Sequence, residues 1–323
     1  MTMDTAAKKP LLVIVGPTAV GKTSLSLRLA ESLEGEIVSA DSMQIYRGMD
    51  IGTAKPSLNE RSQIRHHLLD VISPAESFNV QDWVKLAEKA IDDIAARGKT
   101  PIIAGGTGLY VNALLDGFLF PDTSADPRLR QELEVKGEQD PEALHAELAQ
   151  VDPDTAARLH PNDLRRVIRA LEVYYRTGSP ISVLQKKAKH AARPYRLLYI
   201  GLTRDRSDLY ARINARVDEM LREGLVEEVR GLKERFLDGA TDQARAQLTS
   251  LQALGYKEIL WALEGQMPLE EAVDILKRDT RRYAKRQLSW FRRDPRIKWF
   301  NLTHSSEDEV QRTVIELWHQ LHA

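Results

Sequence analysis

The stretch Gly16-Pro17-Thr18-Ala19-Val20-Gly21-Lys22-Thr23 constrains the fold of this chain more than any other feature. It follows an unbroken apolar run at residues 11–15 and precedes a segment with leucines at 25, 29 and 33. An apolar strand, a glycine-bordered loop and an amphipathic helix, in that order, make a turn that cradles phosphate. Gly16 and Gly21 permit a backbone path that a Cβ would obstruct. The loop N–H groups then converge on phosphate oxygens at the positive end of the helix. Lys22 adds a point charge for the terminal phosphates, and Thr23 offers a hydroxyl to Mg²⁺. The bland reading is a strand–turn–helix corner with no ligand. The context on both sides favours a site for a di- or triphosphate.

The 323 residues suffice for one large domain or two smaller ones. No apolar run approaches the ~20 residues of a membrane span, and residues 1–10 lack a secretory apolar core. A cytoplasmic, monomeric protein with no membrane partner is expected. The absence of cysteine excludes disulfides, cysteine zinc sites and thiol catalysis. A net charge of −1 means that any nucleic-acid binding must rest on local basic patches.

Apolar runs predict strands at 11–15, 36–40, 100–104 and 196–202, with a last short one at 297–300. Helical spacing predicts helices at 22–34, 87–97, 109–115 and 270–294, and a largely helical stretch from 203 to about 263. Strands alternating with helices imply an α/β fold of the P-loop type, a mostly parallel sheet with helices on both faces. Between 121 and about 193 the pattern is charged, helical and free of strands. We therefore expect a core over 1–121 and 194–323 and a helical insertion domain over 122–193. Ligands on such sheets sit at the carboxyl ends of the strands. The loop at 16–23, Asp41 and Thr107 all belong to that edge.

Asp41 could bind Mg²⁺, accept a proton or cap a turn; with the phosphate loop on the same edge, the functional roles lead. Gly105-Gly106-Thr107-Gly108 brings backbone close to something and is equally compatible with a tight turn that has Thr107 as N-cap. Basic pairs at 277–278, 281–282, 285–286 and 292–293 alternate with Tyr283, Trp290 and Phe291. On one helix they form a basic stripe beside an aromatic one, as single-stranded nucleic-acid binding would use. A second cluster joins Arg165, Arg166, Arg169 and Arg176 to Lys186, Lys187, Lys189 and Arg193. Two basic helices in a chain of net charge −1 favour a polyanionic macromolecule over solvated faces. Arg212 and Arg216 share a helix face and could reach the phosphates or pair with Asp218, Glu219 or Glu223. His66 and His67 are adjacent, so they cannot share a face; they read as structural or substrate-wall residues.

These blocks resemble the tRNA dimethylallyltransferases, the bacterial tRNA isopentenylpyrophosphate transferases. The matching pieces are GPTAVGKT at 16–23, DSMQIY at 41–46, RGMDIGTAKP at 47–56 and GGTGLY at 105–110. HPNDLRRVIRALE at 160–172, residues 212–220, GYKE at 255–258 and TRRYAKRQLSWF at 280–291 also match. The likeness spans nearly the whole chain. It implies that the loop holds the diphosphate of dimethylallyl diphosphate and that the acceptor is N6 of the adenosine 3′ of the anticodon. By that likeness Asp41 is the general base and Thr23 holds Mg²⁺. Gly16, Pro17, Thr18, Ala19, Val20, Gly21, Lys22 and Thr23 bind the leaving diphosphate, and Arg216 reaches the same phosphates. Asp41, Ser42, Met43 and Gln44 would meet the flipped adenosine. Thr107 and Arg130 would touch tRNA beside the reactive channel. Arg165, Arg166, Val167, Ile168 and Arg169, with Arg282 and Arg286, would grip the anticodon stem-loop. Three rival readings are an ATP-using small-molecule kinase, an adenylate isopentenyltransferase and a non-catalytic RNA-binding switch with a nucleotide-gated loop. The first leaves the basic–aromatic helix and DIGTAKP unexplained; the helical insertion argues against the second.

Overall fold

A computed structural model of the chain describes residues 8–117, 126–189, 195–241, 245 and 248–322. The chain divides into two compact units, one of residues 1–111 with 194–323, the other of residues 112–193. The expected boundary at 121/122 lies outside the described residues.

The first unit is built on a sheet of six parallel strands: β1 (Lys9–Val15), β2 (Gly35–Ser39), β3 (His66–His67), β4 (Thr100–Gly105), β5 (Tyr195–Thr203) and β6 (Lys298–Asn301). Their spatial order is β3-β2-β4-β1-β5-β6. In β1, Leu11, Leu12, Val13, Ile14 and Val15 are fully buried, because helices cover both faces of a parallel sheet. Alternate residues part to opposite faces. Leu12 and Ile14 join Ile37, Ile102 and Ile200 in one core with α1 (Lys22–Ser32). On the other face α3 (Val80–Ala96) packs against β2 and β4. A capping box between Asn79 and Asp82 starts α3, and Trp83, Ala87, Ile91 and Ile94 form its buried stripe.

The remaining described helices are α2 (Leu58–Gln63), α4 (Gly108–Asp116), α5 (Pro127–Gln139), α6 (Pro141–Val151), α7 (Pro153–Ala156), α8 (Leu164–Thr177), α9 (Ile181–Lys189), α10 (Arg206–Arg222), α11 (Leu225–Phe236), α12 (Tyr256–Leu263), α13 (Leu269–Phe291) and α14 (Glu307–His322). α2, β3 and α14 are additions to the elements expected from sequence. α14 brings Val310, Val314 and Trp318 into the core shared with α1.

The second unit has its own apolar core, including Leu133, Leu144, Leu148, Val167, Ile168 and Leu171. Its three Asp-Pro pairs are helix starts. Asp126, Asp140 and Asp152 each accept a backbone N–H of the first turn, with proline just inside. Val167 and Ile168 bury their side chains in this core, 0% and 3% exposed, so those side chains are closed to RNA. Helical period explains it: in Arg-Arg-Val-Ile-Arg the apolar pair turns inward, while Arg165 and Arg166 stay exposed.

Candidate active site

The strand order places three loops side by side. β4 lies between β1 and β2, so the turn after β4 separates the loop after β1 from Asp41 after β2. Gly105 has room for no side chain, since a Cβ there would stand 2.2 Å from Ala40 O. One cleft is lined by Thr18, Lys22, Thr23, Asp41, Gln44, Gly105, Arg216, Tyr283 and Gln287, with His66 in its wall.

The loop at 16–23 has the form its sequence predicts. Gly21 adopts φ 114°, caps α1 and leaves the helix start without a side-chain cap. The first N–H groups of α1 are therefore available to an anion. Two arginines brace the loop from behind. Arg204 donates from Nε to Val20 O at 2.9 Å, and Arg212 from Nε to Ala19 O at 3.1 Å. Arg212 is thus committed to the loop backbone, whereas Arg216, one turn on, lines the cleft.

Lys22 Nζ donates to Gly16 O at 3.0 Å and Pro17 O at 2.8 Å. Burial pulls its pKa down to about 7, and the nearby Arg216 charge adds to the fall; Asp41 opposes both. Burial also lowers the pKa of Arg216, against the pull of Asp41. Two desolvated cations and one carboxylate thus share the cleft. An anion bound there would favour the charged forms of both Lys22 and Arg216.

The acceptor side is organised around Thr107. Its Oγ1 accepts from Ser42 N–H at 3.0 Å and so holds the turn after β2, while its C=O accepts from the N–H groups of Tyr110 and Val111 at the start of α4. Asp41 Oδ1 accepts from Met43 N–H at 2.9 Å, which orients the carboxylate. The Gln44 amide is held by protein: Nε2 donates to Thr53 O and Ala54 O, and Oε1 accepts from Ser39 Oγ. Only the remaining lone pair of Oε1 is open to a ligand. His66 donates from Nδ1 to Ile64 O at 2.7 Å. His67 Nε2 meets Glu36 at 2.7 Å, as β3 aligns beside β2.

The 47–56 block is a clip. The Glu228 carboxylate accepts from the N–H groups of Asp50, Ile51 and Gly52, and from the Tyr256 hydroxyl at 2.7 Å. Lys55, its side chain 1% exposed, pairs with Asp50 and Asp70. The clip fixes the carbonyls of Thr53 and Ala54, and these fix Gln44. It also explains why the 47–56 and 255–258 blocks go together.

The basic helix α13 has two faces. Arg282, Lys285, Arg286 and Trp290 are exposed, as is Arg293 just beyond its end. Lys277 pairs with Asp218, Arg278 and Arg282 with Asp279, and Arg281 donates to Asn214. Its inner face carries Tyr283 and the buried Gln287 into the cleft. Gln287 was not expected among the site residues, and Tyr283 was expected only in the aromatic stripe of the basic helix. In the second unit Arg165 and Arg166 are exposed, and Arg130 and Arg169 lie beside the buried Glu172. Arg193 lies outside the described residues.

The family model described as IPP transferase matches residues 44–294. The chain belongs to the IPP transferase family. It is 49% identical over 306 residues to a tRNA dimethylallyltransferase of Carboxydothermus hydrogenoformans, covering 94% of this chain and 96% of that one. It is 51% identical over 302 residues to a tRNA dimethylallyltransferase of Geobacillus thermodenitrificans, covering 93% of each. Among solved structures it resembles the tRNA isopentenylpyrophosphate transferase of Bacillus halodurans, with a TM-score of 0.71 and 45% identity over 98% of this chain and 97% of that one. A eukaryotic dimethylallyltransferase acting on tRNA superposes with a TM-score of 0.81 at 32% identity, over 95% of this chain and 78% of that one. No described helix is long and apolar enough to cross a membrane.

Proposed function

We propose that this chain is a tRNA dimethylallyltransferase, moving a dimethylallyl group from its diphosphate to N6 of the adenosine 3′ of the tRNA anticodon. The observation that carries the reading is the cleft itself. It joins an amide-rich loop, two desolvated cations and one carboxylate within a family whose named relatives perform this transfer.

In the reaction the C1–O bond to diphosphate breaks, the N6–C1 bond forms, and a proton leaves N6. Asp41 takes that proton. The N6 lone pair is delocalised into the purine, so attack needs an aligned electrophile as well as a base. The N–H groups of the loop, Lys22 and Arg216 bind the diphosphate, whose charge grows as C1 departs. Among the described residues no cluster of His, Asp or Glu is built to hold a metal. A single hydroxyl from Thr23 beside a diphosphate does suit Mg²⁺, which keeps several waters and takes phosphate oxygens as ligands. Bound there, Mg²⁺ would neutralise charge on the leaving group.

The adenosine must leave its stack to enter the cleft, at a cost of a few kcal/mol. Ser42, Gln44 and Thr107 would receive it. The exposed face of α13, with Arg282, Arg286 and Trp290, would hold backbone phosphates and a stacked base. Arg130, Arg165, Arg166 and Arg169 would offer a second basic surface to the anticodon stem-loop. The enzyme is expected to act as a cytoplasmic monomer.

The test supplies dimethylallyl diphosphate and unmodified tRNA. The expected result is a mass gain of one prenyl group on a single adenosine, with diphosphate released. ATP hydrolysis without prenylation would favour a kinase, and prenylation of AMP but not of tRNA an adenylate isopentenyltransferase.

A further inference from the structure

We propose that Gln287 is a positioning residue for the transfer, its side-chain amide clamping the diphosphate loop to the turn that carries Thr107. Gln287 Oε1 accepts from Thr18 N–H at 2.9 Å, and its Nε2 donates to Gly106 O at 2.9 Å. Thr18 belongs to the loop after β1 and Gly106 to the turn after β4. One buried amide from a helix far along the chain therefore stitches two strand-end loops together.

The glycine-rich turn is shaped to receive it. A Cβ on Gly106 would stand 2.2 Å from Gln287 Nε2. A Cβ on Gly108 would stand 2.3 Å from the Trp290 ring, one helical turn further along α13. These two glycines are thus accounted for by the docking of α13. The stitch continues toward the base. Thr107, next to Gly106, donates its N–H to Ala40 O at 3.1 Å and holds Ser42 N–H through Oγ1. Asp41 lies between Ala40 and Ser42. The path from Thr18 to Gln287, Gly106, Thr107 and the Asp41 turn ties the leaving-group loop to the proton acceptor.

The inference rests on the reading that diphosphate sits in the loop and that Asp41 takes the N6 proton. Gln287 is assigned no contact with the reacting atoms; it sets the distance between those that react. A misplacement of about 1 Å in such a geometry can cost ~100-fold in rate. A carboxamide is needed because the residue must accept from one loop and donate to the other. Ionised glutamate can only accept, but protonated glutamic acid can do both.

Full-length Gln287→Met and Gln287→Glu would be compared with wild type. The readouts are single-turnover prenyl transfer to tRNA at saturating dimethylallyl diphosphate, the Kd for tRNA and for pyrophosphate, and thermal unfolding. Gln287→Met should slow transfer by roughly 30- to 100-fold, with both Kd values within about threefold of wild type. The rate of Gln287→Glu relative to wild type should rise as pH falls from about 8 to 5.5, as protonation restores the donor. The same ratio for Gln287→Met should stay flat. If Gln287→Met fails to fold, the pH ratio of Gln287→Glu decides alone. A Gln287→Met rate within twofold of wild type, a loss carried wholly by the two Kd values, or a flat ratio for Gln287→Glu overturns the assignment. If wild type itself adds no prenyl group, the proposed function fails, and the positioning role with it. If wild type is active and the variants match it, only the positioning role fails.

Discussion

α8 and α13 look alike in sequence, each an amphipathic helix with a run of arginines, yet their structural roles differ. α8 turns one face to the apolar core of the helical unit and leaves Arg165 and Arg166 at the surface. α13 also shows arginines to solvent, but its inner face delivers Tyr283 and Gln287 to the cleft at the strand ends. The difference is one of place. The inner face of α13 meets the cleft at the strand ends, whereas the inner face of α8 is spent on the core of its own unit. A charge stripe therefore does not tell whether the opposite face of its helix meets a site.

That contrast can be broken at several levels. The largest effect is expected in the cleft. Lys22→Met should weaken pyrophosphate binding by about 100-fold, the scale of one charge-assisted contact pair. Lys22 has a pKa lowered to about 7, so its charge is present below that pH and lost above it. Bound diphosphate favours the charged form and should raise the pKa again. Affinity in wild type should then fall by up to tenfold per unit above pH ~7, with proton uptake on binding. Calorimetry in buffers of different ionisation enthalpy checks this; Lys22→Met should keep only the proton linkage of pyrophosphate itself.

Smaller effects are expected on the outer faces. Replacing Arg282 and Arg286 together by Ala should weaken tRNA binding by roughly tenfold and reduce the salt slope by about two. The pair Arg165→Ala and Arg166→Ala should do the same without changing single-turnover transfer from the saturated complex. An unchanged slope in either pair returns that helix to a solvated face. The smallest effect on RNA belongs to Ile168→Ala. It should cost about 2–4 kcal/mol of stability in the helical unit, read by denaturant unfolding, and leave the salt slope unaltered.

Much of this was legible in the sequence. The run at 11–15 has no polar residue and lies in mid-sheet, and the glycine-bordered loop stands at its carboxyl end as expected. Asp41 and Thr107 were placed on the same edge by apolar runs alone, and the structure brings both to one region. What stayed hidden depended on long-range pairing. β3 is two residues long and shows no period; it exists because His66 and His67 align with Ile37 and Val38. The three N–H groups of residues 50–52 find their acceptor on Glu228, far along the chain. α14 carries its signal openly in Val310, Val314 and Trp318, spaced by four. Gln287 also left a trace. It occupies a position on the apolar stripe formed by Leu276, Ala284 and Phe291, where a polar residue needs a buried partner. The sequence could not name that partner, because Thr18 and Gly106 meet α13 only in the folded core.

The central claim is that one carboxylate beside the diphosphate loop accepts the proton of the attacking nitrogen. It is tested most directly by Asp41→Ala in the full-length enzyme, with tRNA affinity and single-turnover transfer measured on the same preparation. Transfer should fall by at least ~10³-fold while the Kd for tRNA stays within about threefold. A variant that binds tRNA poorly yet transfers the prenyl group at the wild-type rate once saturated would contradict the account.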